Sequence, residues 1–282
     1  MCERDEFHAD DRIRLSRRAF GALTGGASVA VLWGGSAARA EEVAGTDVEI
    51  ATPDGTVDGY FVHPASGKAP GVIMWPDIYG LRPAFREMAD RLAGSGYAVL
   101  VVNPFYRDAR GVVVKEGEEM SAAIERLRPY ARKLTPAAVV SDATAFAAWL
   151  DAQPAVDTGR TIGAVGFCMS GSYTVRAAAA LPDRVGAGAS FHGGGLATDA
   201  PDSPHRLAPE TEGRFLFAIA QNDDAKDPQA KMLLAQAFGD RAEVEVYPAD
   251  HGWVPPDSAR HDEAQAEKAW GRMLALLEGG LA

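Results

Sequence analysis

One segment of the sequence places a cysteine where a predicted strand turns into a predicted helix. The run Thr161–Gly171 reads TIGAVGFCMSG, and Cys168 stands at the junction between its two halves. The small residues around the cysteine, Gly166, Ser170 and Gly171, leave room for a tight turn of the backbone. A thiol at the N-terminus of a helix, which favours the thiolate, is suited to attack a carbonyl carbon. The alternative is a small buried cysteine that only packs.

Two later segments offer the groups that such a nucleophile needs. The carboxylate pair Asp223 and Asp224 follows the predicted strand Arg214–Ala220, and His251 follows the predicted strand Glu243–Tyr247. The order cysteine, aspartate, histidine, with each member after a different strand, predicts a catalytic triad. In this triad His251 is the base and Asp223 orients it, with Asp224 as the alternative acid.

The elements around these residues alternate between apolar strands and amphipathic helices. Strands are predicted at Val48–Thr52, Val57–His63, Gly71–Trp75, Ala98–Val102, Thr161–Gly166, Val185–Ser190, Arg214–Ala220 and Glu243–Tyr247. Helices are predicted at Ala84–Ala93, Gly117–Leu134, Thr135–Leu150, Met169–Ala180, Pro228–Phe238 and Ala259–Leu277. This alternation predicts an α/β fold with a mostly parallel central sheet and helices on both faces. The loops at the carboxyl ends of the strands are then expected to carry the chemistry.

Composition and charge exclude several classes of function. The chain has 282 residues, and 28 Lys and Arg against 39 Asp and Glu give a net charge of -11. This acidic balance argues against binding to a nucleic-acid backbone. No glycine-rich dinucleotide motif follows a predicted strand, and His63, His205 and His261 lack the spacing of metal ligands. The sequence therefore predicts neither a metal nor a bound dinucleotide.

The first 40 residues differ from the rest of the sequence. The twin-arginine segment SRRAF at 16–20 precedes an uncharged apolar stretch at 21–38, and Ala38-Arg39-Ala40 offers a signal peptidase site. This pattern predicts a cleaved leader that engages the Tat export machinery, with the rest of the chain, 41–282, as a single domain. We expect the mature protein to be periplasmic or secreted, without a stable membrane anchor. The alternative is an N-terminal membrane anchor.

Taken together, these segments resemble the dienelactone hydrolase family of α/β-hydrolases over roughly residues 46–280. The resemblance is carried by GFCMSG at 166–171, the Asp223 segment, YPADHG at 247–252 and PDIYG at 76–80. It implies an α/β-hydrolase fold and a triad of Cys168, His251 and Asp223 that opens lactones or other activated esters. The partner is then a small-molecule ester or lactone, and no cofactor is required.

The resemblance also implies roles for residues around the triad. The backbone amides of Ile78 and Met169 are expected to bind the oxyanion that forms after attack on a carbonyl. Asp77, where the family often has glutamate, is expected to hold the resting thiol. From their positions after strand ends, Tyr79 and Arg107 are expected to contact the substrate, Arg107 through an anionic group, and Trp253 beside His251 is expected to form a lid or wall of the site.

Two alternatives to the hydrolase remain open from the sequence. Cys168 also suits a thioesterase or an acyl-transfer enzyme, which forms the same covalent intermediate. A catalytically silent protein that binds a small molecule in the same fold is the other alternative. One further segment, His192 followed by three glycines after the predicted strand Val185–Ser190, either borders the site or forms a structural turn.

Overall fold

The strands of the central sheet come from the whole length of the described chain. The computed structural model describes residues 42–115 and 117–281, so the predicted leader at 1–40 lies outside the described residues. The strands are β1 (Val43–Thr52), β2 (Gly55–Pro64), β3 (Gly71–Trp75), β4 (Ala98–Val102), β5 (Ile162–Phe167), β6 (Val185–Phe191), β7 (Arg214–Ala220) and β8 (Ala242–Tyr247). Five of them are buried along most of their length, as their uninterrupted apolar sequences predict.

The described residues form one eight-stranded sheet in the order β1-β2-β4-β3-β5-β6-β7-β8. β1 and β2 form an antiparallel hairpin, β2 runs antiparallel to β4, and the strands from β4 to β8 are parallel. The prediction of a mostly parallel α/β sheet is therefore confirmed. Because β3, β5, β6, β7 and β8 point the same way, their carboxyl ends meet along one edge of the sheet.

Helices connect the parallel strands and cover both faces of the sheet. They are α1 (Pro83–Ala93), α2 (Met120–Ala131), α3 (Pro136–Asp151), α4 (Gly171–Ala180), α5 (Gln221–Lys226), α6 (Ala230–Phe238) and α7 (Glu263–Gly280). The N-terminus of α3 is set by Thr135, whose side-chain oxygen accepts a hydrogen bond from the Ala138 amide at 3.2 Å. Asp262 caps α7 in the same way, and its side chain accepts from the Gln265 amide at 3.0 Å.

Within the described part of the chain, buried side chains form two apolar cores, one on each face of the sheet. Alternate residues of β3 divide between them: Ile73 and Trp75 enter one core, and Val72 and Met74 enter the other. No helix of residues 42–115 and 117–281 is long and apolar enough to cross a membrane. In the same residues, no three His, Cys, Asp or Glu side chains gather as a possible metal site.

Some predicted element boundaries are wrong. The segment after β7, expected to be a loop, folds as the short helix α5, and the following helix begins at Ala230 rather than Pro228. The helix predicted from Gly117 spans only Met120–Ala131. A 3₁₀ turn, Cys168–Ser170, stands between β5 and α4. This turn is the element that presents the cysteine.

Candidate active site

The turn that carries Cys168 has an unusual backbone. Cys168 has a φ of 55°, in the left-handed region that few residues other than glycine adopt. A Cβ atom on Gly166 would overlap the Ser170 carbonyl oxygen, and one on Gly171 would overlap the Gly193 backbone. The neighbouring positions must therefore be glycine for the chain to turn so sharply after β5. This turn places the Cys168 thiol at the carboxyl edge of the sheet, directly after β5.

Two hydrogen-bonding groups fasten this turn to neighbouring strands. The buried Ser170 hydroxyl accepts from the Phe167 amide at 2.9 Å and lies 2.7 Å from the Trp75 carbonyl oxygen, to which it donates. The Cys168 carbonyl in turn accepts from the Gly194 amide at 3.0 Å. The turn is thus tied to the end of β3 on one side and to the loop after β6 on the other.

Three strand ends bring Cys168, His251 and Asp223 together. His251 Nδ1 lies 2.6 Å from Asp223 Oδ2, and the Cys168 sulfur is a second hydrogen-bond partner of the same imidazole. Asp224 faces elsewhere and accepts from Lys231 Nζ at 2.7 Å. The geometry therefore selects Asp223 over Asp224 as the acid that orients the base. His251 thus lies between a thiol and a carboxylate, the arrangement of a catalytic triad.

The backbone around His251 is held by α5. The His251 amide donates to Asn222 Oδ1 at 2.8 Å, and the Gln221 amide donates to the Ala249 carbonyl at 3.0 Å. These bonds join the first turn of α5 to the loop after β8. The distance between the base and Asp223 is consequently set by backbone contacts as well as by the side-chain pair.

The electrostatics of the site favour a protonated imidazole beside the sulfur. Burial alone would lower the pKa of His251, but the negative charges and hydrogen bonds of Cys168 and Asp223 outweigh it and raise the pKa well above its ordinary value. Because the pKa is raised, the neutral imidazole takes the thiol proton readily and holds it as the imidazolium. The arrangement can therefore generate a sulfur nucleophile and store the proton that a leaving group will need.

The two backbone amides expected to bind an oxyanion follow neighbouring strand ends. Trp75 and Gly166 pair across β3 and β5, so Ile78 and Met169 follow neighbouring strand ends. The Met169 amide opens a helical turn and has no partner within it. No hydrogen-bond partner of the Ile78 amide occurs among the described residues. Both amides are thus available to a ligand at this edge.

Comparison with known proteins agrees with this geometry. The sequence matches the dienelactone hydrolase family over residues 57–280, which is most of the chain. The chain belongs to the dienelactone hydrolase family.

Individual relatives cover nearly the full length of the match. Carboxymethylenebutenolidase 1 of Cupriavidus pinatubonensis is 26% identical over 238 residues, covering 82% of this chain and 95% of its own. A Synechocystis sp. protein provisionally given the same enzyme name is 29% identical over 242 residues, covering 83% and 96%. Among solved structures, a Klebsiella pneumoniae protein described as a candidate dienelactone hydrolase has a TM-score of 0.71 at 23% identity, covering 84% and 98%.

One expectation drawn from the family is not met at Asp77. Both carboxylate oxygens of Asp77 accept from the Arg82 guanidinium, at 2.7 and 3.0 Å, and Oδ1 also accepts from the Tyr79 amide at 2.9 Å. The partner of the Cys168 thiol is His251 instead. A guanidinium five residues further along the chain is a stronger, bidentate partner for a carboxylate than a thiol is. Asp77 therefore shapes the turn rather than holding the sulfur.

The expected substrate contacts also need correction. The Arg107 guanidinium is engaged by Asp54 and Asp142, with its NH2 group 2.6 and 2.8 Å from their oxygens. These two carboxylates more than neutralise the positive charge of the guanidinium, so Arg107 is not available to bind an anionic substrate. Tyr79 is half-buried beside Arg82, and its contact with substrate stays a prediction.

Trp253 was expected to line the site, but its side chain is completely buried. Gly252, with a φ of 94°, turns the chain between His251 and Trp253, so the side chains of these two residues point in different directions. The indole stacks on Tyr247 with ring centroids 5.3 Å apart. Trp253 therefore supports the site from within the core and does not reach a substrate.

Sequence reasoning missed two residues that structure the site, Arg82 and Asp257, and left open whether His192 borders the site or forms a turn. The His192 ring lies 4.9 Å from the His251 ring, and Arg82 binds both Asp77 and Asp257. For His192 the available signal was a histidine followed by glycines at a strand end. For Arg82 and Asp257 there was no signal, because 175 residues separate them in the chain.

Proposed function

We propose that this chain opens lactones and other activated carboxylic esters by attack of the Cys168 sulfur on the carbonyl carbon. The observation that carries the proposal is the His251 imidazole, bonded to both Cys168 and Asp223 at the carboxyl edge of the sheet. Membership of the dienelactone hydrolase family and the carboxymethylenebutenolidase relatives support the hydrolysis of an ester or lactone.

The first half of the reaction forms a thioester. His251 takes the thiol proton, the sulfur bonds to the carbonyl carbon, and the carbonyl electron pair moves to oxygen. The Ile78 and Met169 amides stabilise this oxyanion, at about 3 kcal/mol for each donor. When the intermediate collapses, the bond to the ring or leaving oxygen breaks, and the imidazolium returns its proton to that oxygen.

The second half regenerates the enzyme. His251 deprotonates a water molecule, which attacks the thioester carbonyl and releases the carboxylic acid from sulfur. The proton on the imidazole returns to the sulfur. Asp223 fixes the tautomer of the base and stabilises its positive form in both halves. For a lactone, acid and alcohol leave as one molecule.

The use of sulfur restricts the substrate. A thiolate leaves a tetrahedral intermediate more readily than an amine or a simple alkoxide does, so attack on amides and alkyl esters mostly reverses. Enol lactones, aryl esters and thioesters have leaving groups that compete with the thiolate. These are the substrate classes that we propose.

The test is turnover of p-nitrophenyl acetate by the purified protein and by Cys168→Ala. We expect kcat to fall at least about a thousandfold, because the covalent route is lost while the fold persists by circular dichroism. Cys2→Ala, compared in the full-length chain that keeps its first 40 residues, is the matched control and should retain full activity. Equal rates for Cys168→Ala and the unsubstituted protein would remove the nucleophile from the proposal.

For the location of the protein, we propose export by the twin-arginine route. Its support is the SRRAF segment, the apolar stretch after it and the Ala38-Arg39-Ala40 site. Replacing Arg17 and Arg18 together by lysine should retain the protein in the cytoplasm, as measured by fractionation. Unchanged periplasmic recovery of that variant would argue for a different route.

A further inference from the structure

His192 combines features that packing alone does not explain. It follows β6 with a φ of 40°, a conformation that favours glycine, and the next three residues are glycines. Position 192 nevertheless carries a side chain. Its amide donates to the Ala218 carbonyl at 2.8 Å, and two residues later the Gly194 amide holds the Cys168 carbonyl. The loop is therefore attached directly to the turn that presents the nucleophile.

The ring of His192 is buried against the base. Only 1% of the residue is exposed, and its ring centroid lies 4.9 Å from that of His251 and 5.1 Å from that of Trp253, edge to face in both cases. Neither ring nitrogen has a hydrogen-bond partner among the described residues. Burying polar atoms without partners costs free energy, so a polar ring at this place calls for a compensating role.

We propose that His192 is a positioning residue, a wall that holds the His251 imidazole in line with Cys168 while that imidazole transfers protons. The inference rests on the proposed function of the triad. Asp223 and Cys168 hold His251 by hydrogen bonds in the plane of its ring, which leave the ring free to tilt about the line between them. The edge of His192, itself backed by Trp253, removes that freedom. A misplacement of about 1 Å in such a site costs on the order of a hundredfold in rate.

The charge of His192 suits this role. Burial lowers the pKa of His192 well below its ordinary value, and the charge of the neighbouring His251 lowers it further. His251 is the titratable group that faces it, and Cys168 and Asp223 act on His251 in turn. A ring that stays neutral neither repels the imidazolium nor competes with it for the thiol proton. Geometry rather than proton transfer is thus its contribution.

The experiment compares His192→Ala with His192→Phe, which restores a neutral aromatic ring. Two quantities are measured, the kcat and KM for p-nitrophenyl acetate and the rate at which iodoacetamide alkylates Cys168. We expect His192→Ala to lower kcat about 30- to 100-fold with KM changed less than about twofold, and to slow alkylation at least about fivefold. The phenylalanine variant should recover most of both rates. His63→Ala, which removes a half-buried histidine 5.3 Å from Phe61, is the matched control and should change neither.

Each outcome decides the proposal. A folded His192→Ala with unchanged kcat and alkylation overturns it, and so does an equal loss in the alanine and phenylalanine variants, because the ring nitrogens would then matter. If the alanine variant does not fold, His192→Asn, which tolerates the same backbone, replaces it. Slower alkylation in a protein that turns over no ester would support the role of His192 while removing the proposed function.

Discussion

Arg82 and Asp257 lie 175 residues apart in the sequence and are joined by two hydrogen bonds, from Nε to Oδ2 at 2.6 Å and from NH2 to Oδ1 at 3.0 Å. The same buried guanidinium donates twice to Asp77. It therefore joins the turn that contains Ile78 to the loop that follows His251. This ion-pair network therefore fixes the segment of the proposed oxyanion donor, Ile78, relative to the segment of the base, His251.

The first prediction concerns this network. Asp257→Ala should lower the free energy of unfolding by about 3 kcal/mol, because it leaves a buried guanidinium with one carboxylate. Urea denaturation monitored by tryptophan fluorescence measures the change. Glu267→Ala breaks the exposed pair with Arg91 and should cost less than about 1 kcal/mol. Similar losses in the two variants would show that the network adds nothing beyond a surface pair.

The second prediction separates two adjacent aspartates. Asp223→Asn should lower kcat at least about a hundredfold, because an amide neither stabilises the imidazolium nor fixes its tautomer. Asp224→Asn should stay within about twofold of the unsubstituted protein, since that side chain binds Lys231. Steady-state kinetics on an aryl ester measure both. The reverse ranking would transfer the orienting role to Asp224.

The third prediction concerns the glycine before the nucleophile. Gly166→Ala should destabilise the fold by about 3 kcal/mol or more, because the added methyl group would overlap the Ser170 carbonyl, a backbone group that cannot rotate away as a side chain could. Gly271→Ala is the matched change, within α7 and facing open space. It should raise the free energy of unfolding by about 0.5–1 kcal/mol, because alanine favours a helix more than glycine does. Thermal and urea denaturation measure the expected loss of stability at position 166 and the expected gain at position 271. A tolerated alanine at 166 would mean that the turn is less constrained than its backbone indicates.

The fourth prediction concerns pH. Because burial holds the pKa of His192 well below 6.5, the unfolded chain takes a proton below about pH 6.5 that the folded chain refuses. The free energy of unfolding therefore falls as the pH drops, by up to about 1.4 kcal/mol per unit from this group. His251 acts oppositely: its raised pKa stabilises the fold fully below about pH 6.5, and this contribution is lost as the pH rises through the folded pKa.

Replacing His192 by phenylalanine should remove the acid-side loss alone. Between about pH 6.5 and about pH 5, the variant should lose roughly 1–2 kcal/mol less than the unsubstituted protein. Urea denaturation at a series of pH values gives the comparison, and the other titrating groups are common to both proteins. Parallel pH curves would mean that His192 takes up its proton in the folded state.

The sequence predicted the parts of the fold that local patterns determine. The bounds of β3, β4 and β7 were predicted correctly, because each is an uninterrupted apolar run with polar or turn residues on both sides. The helix α5 was missed because QNDDAK has no apolar face to signal a helix. The triad candidates could be predicted because each follows a strand closely in the sequence, and the carboxyl ends of parallel strands lie along one edge of the sheet.

The environment of each side chain was harder to predict. Arg107 looked available to a substrate, but two carboxylates distant in the sequence enclose it. Trp253 looked like a wall of the site, but the left-handed Gly252 sends it into the core. Contacts of this kind depend on tertiary packing, which no spacing within the sequence records.

The position of β8 makes the activation of the Cys168 thiol depend on a strand that is synthesised later. Synthesis reaches Cys168 well before His251, and among the described residues β8 pairs with β7 alone, at the margin of the sheet. Until that last strand docks, the sulfur has no base beside it and no carboxylate to steady one. A copy in which β8 has not docked therefore carries a dormant thiol, and its chemical competence depends on that pairing.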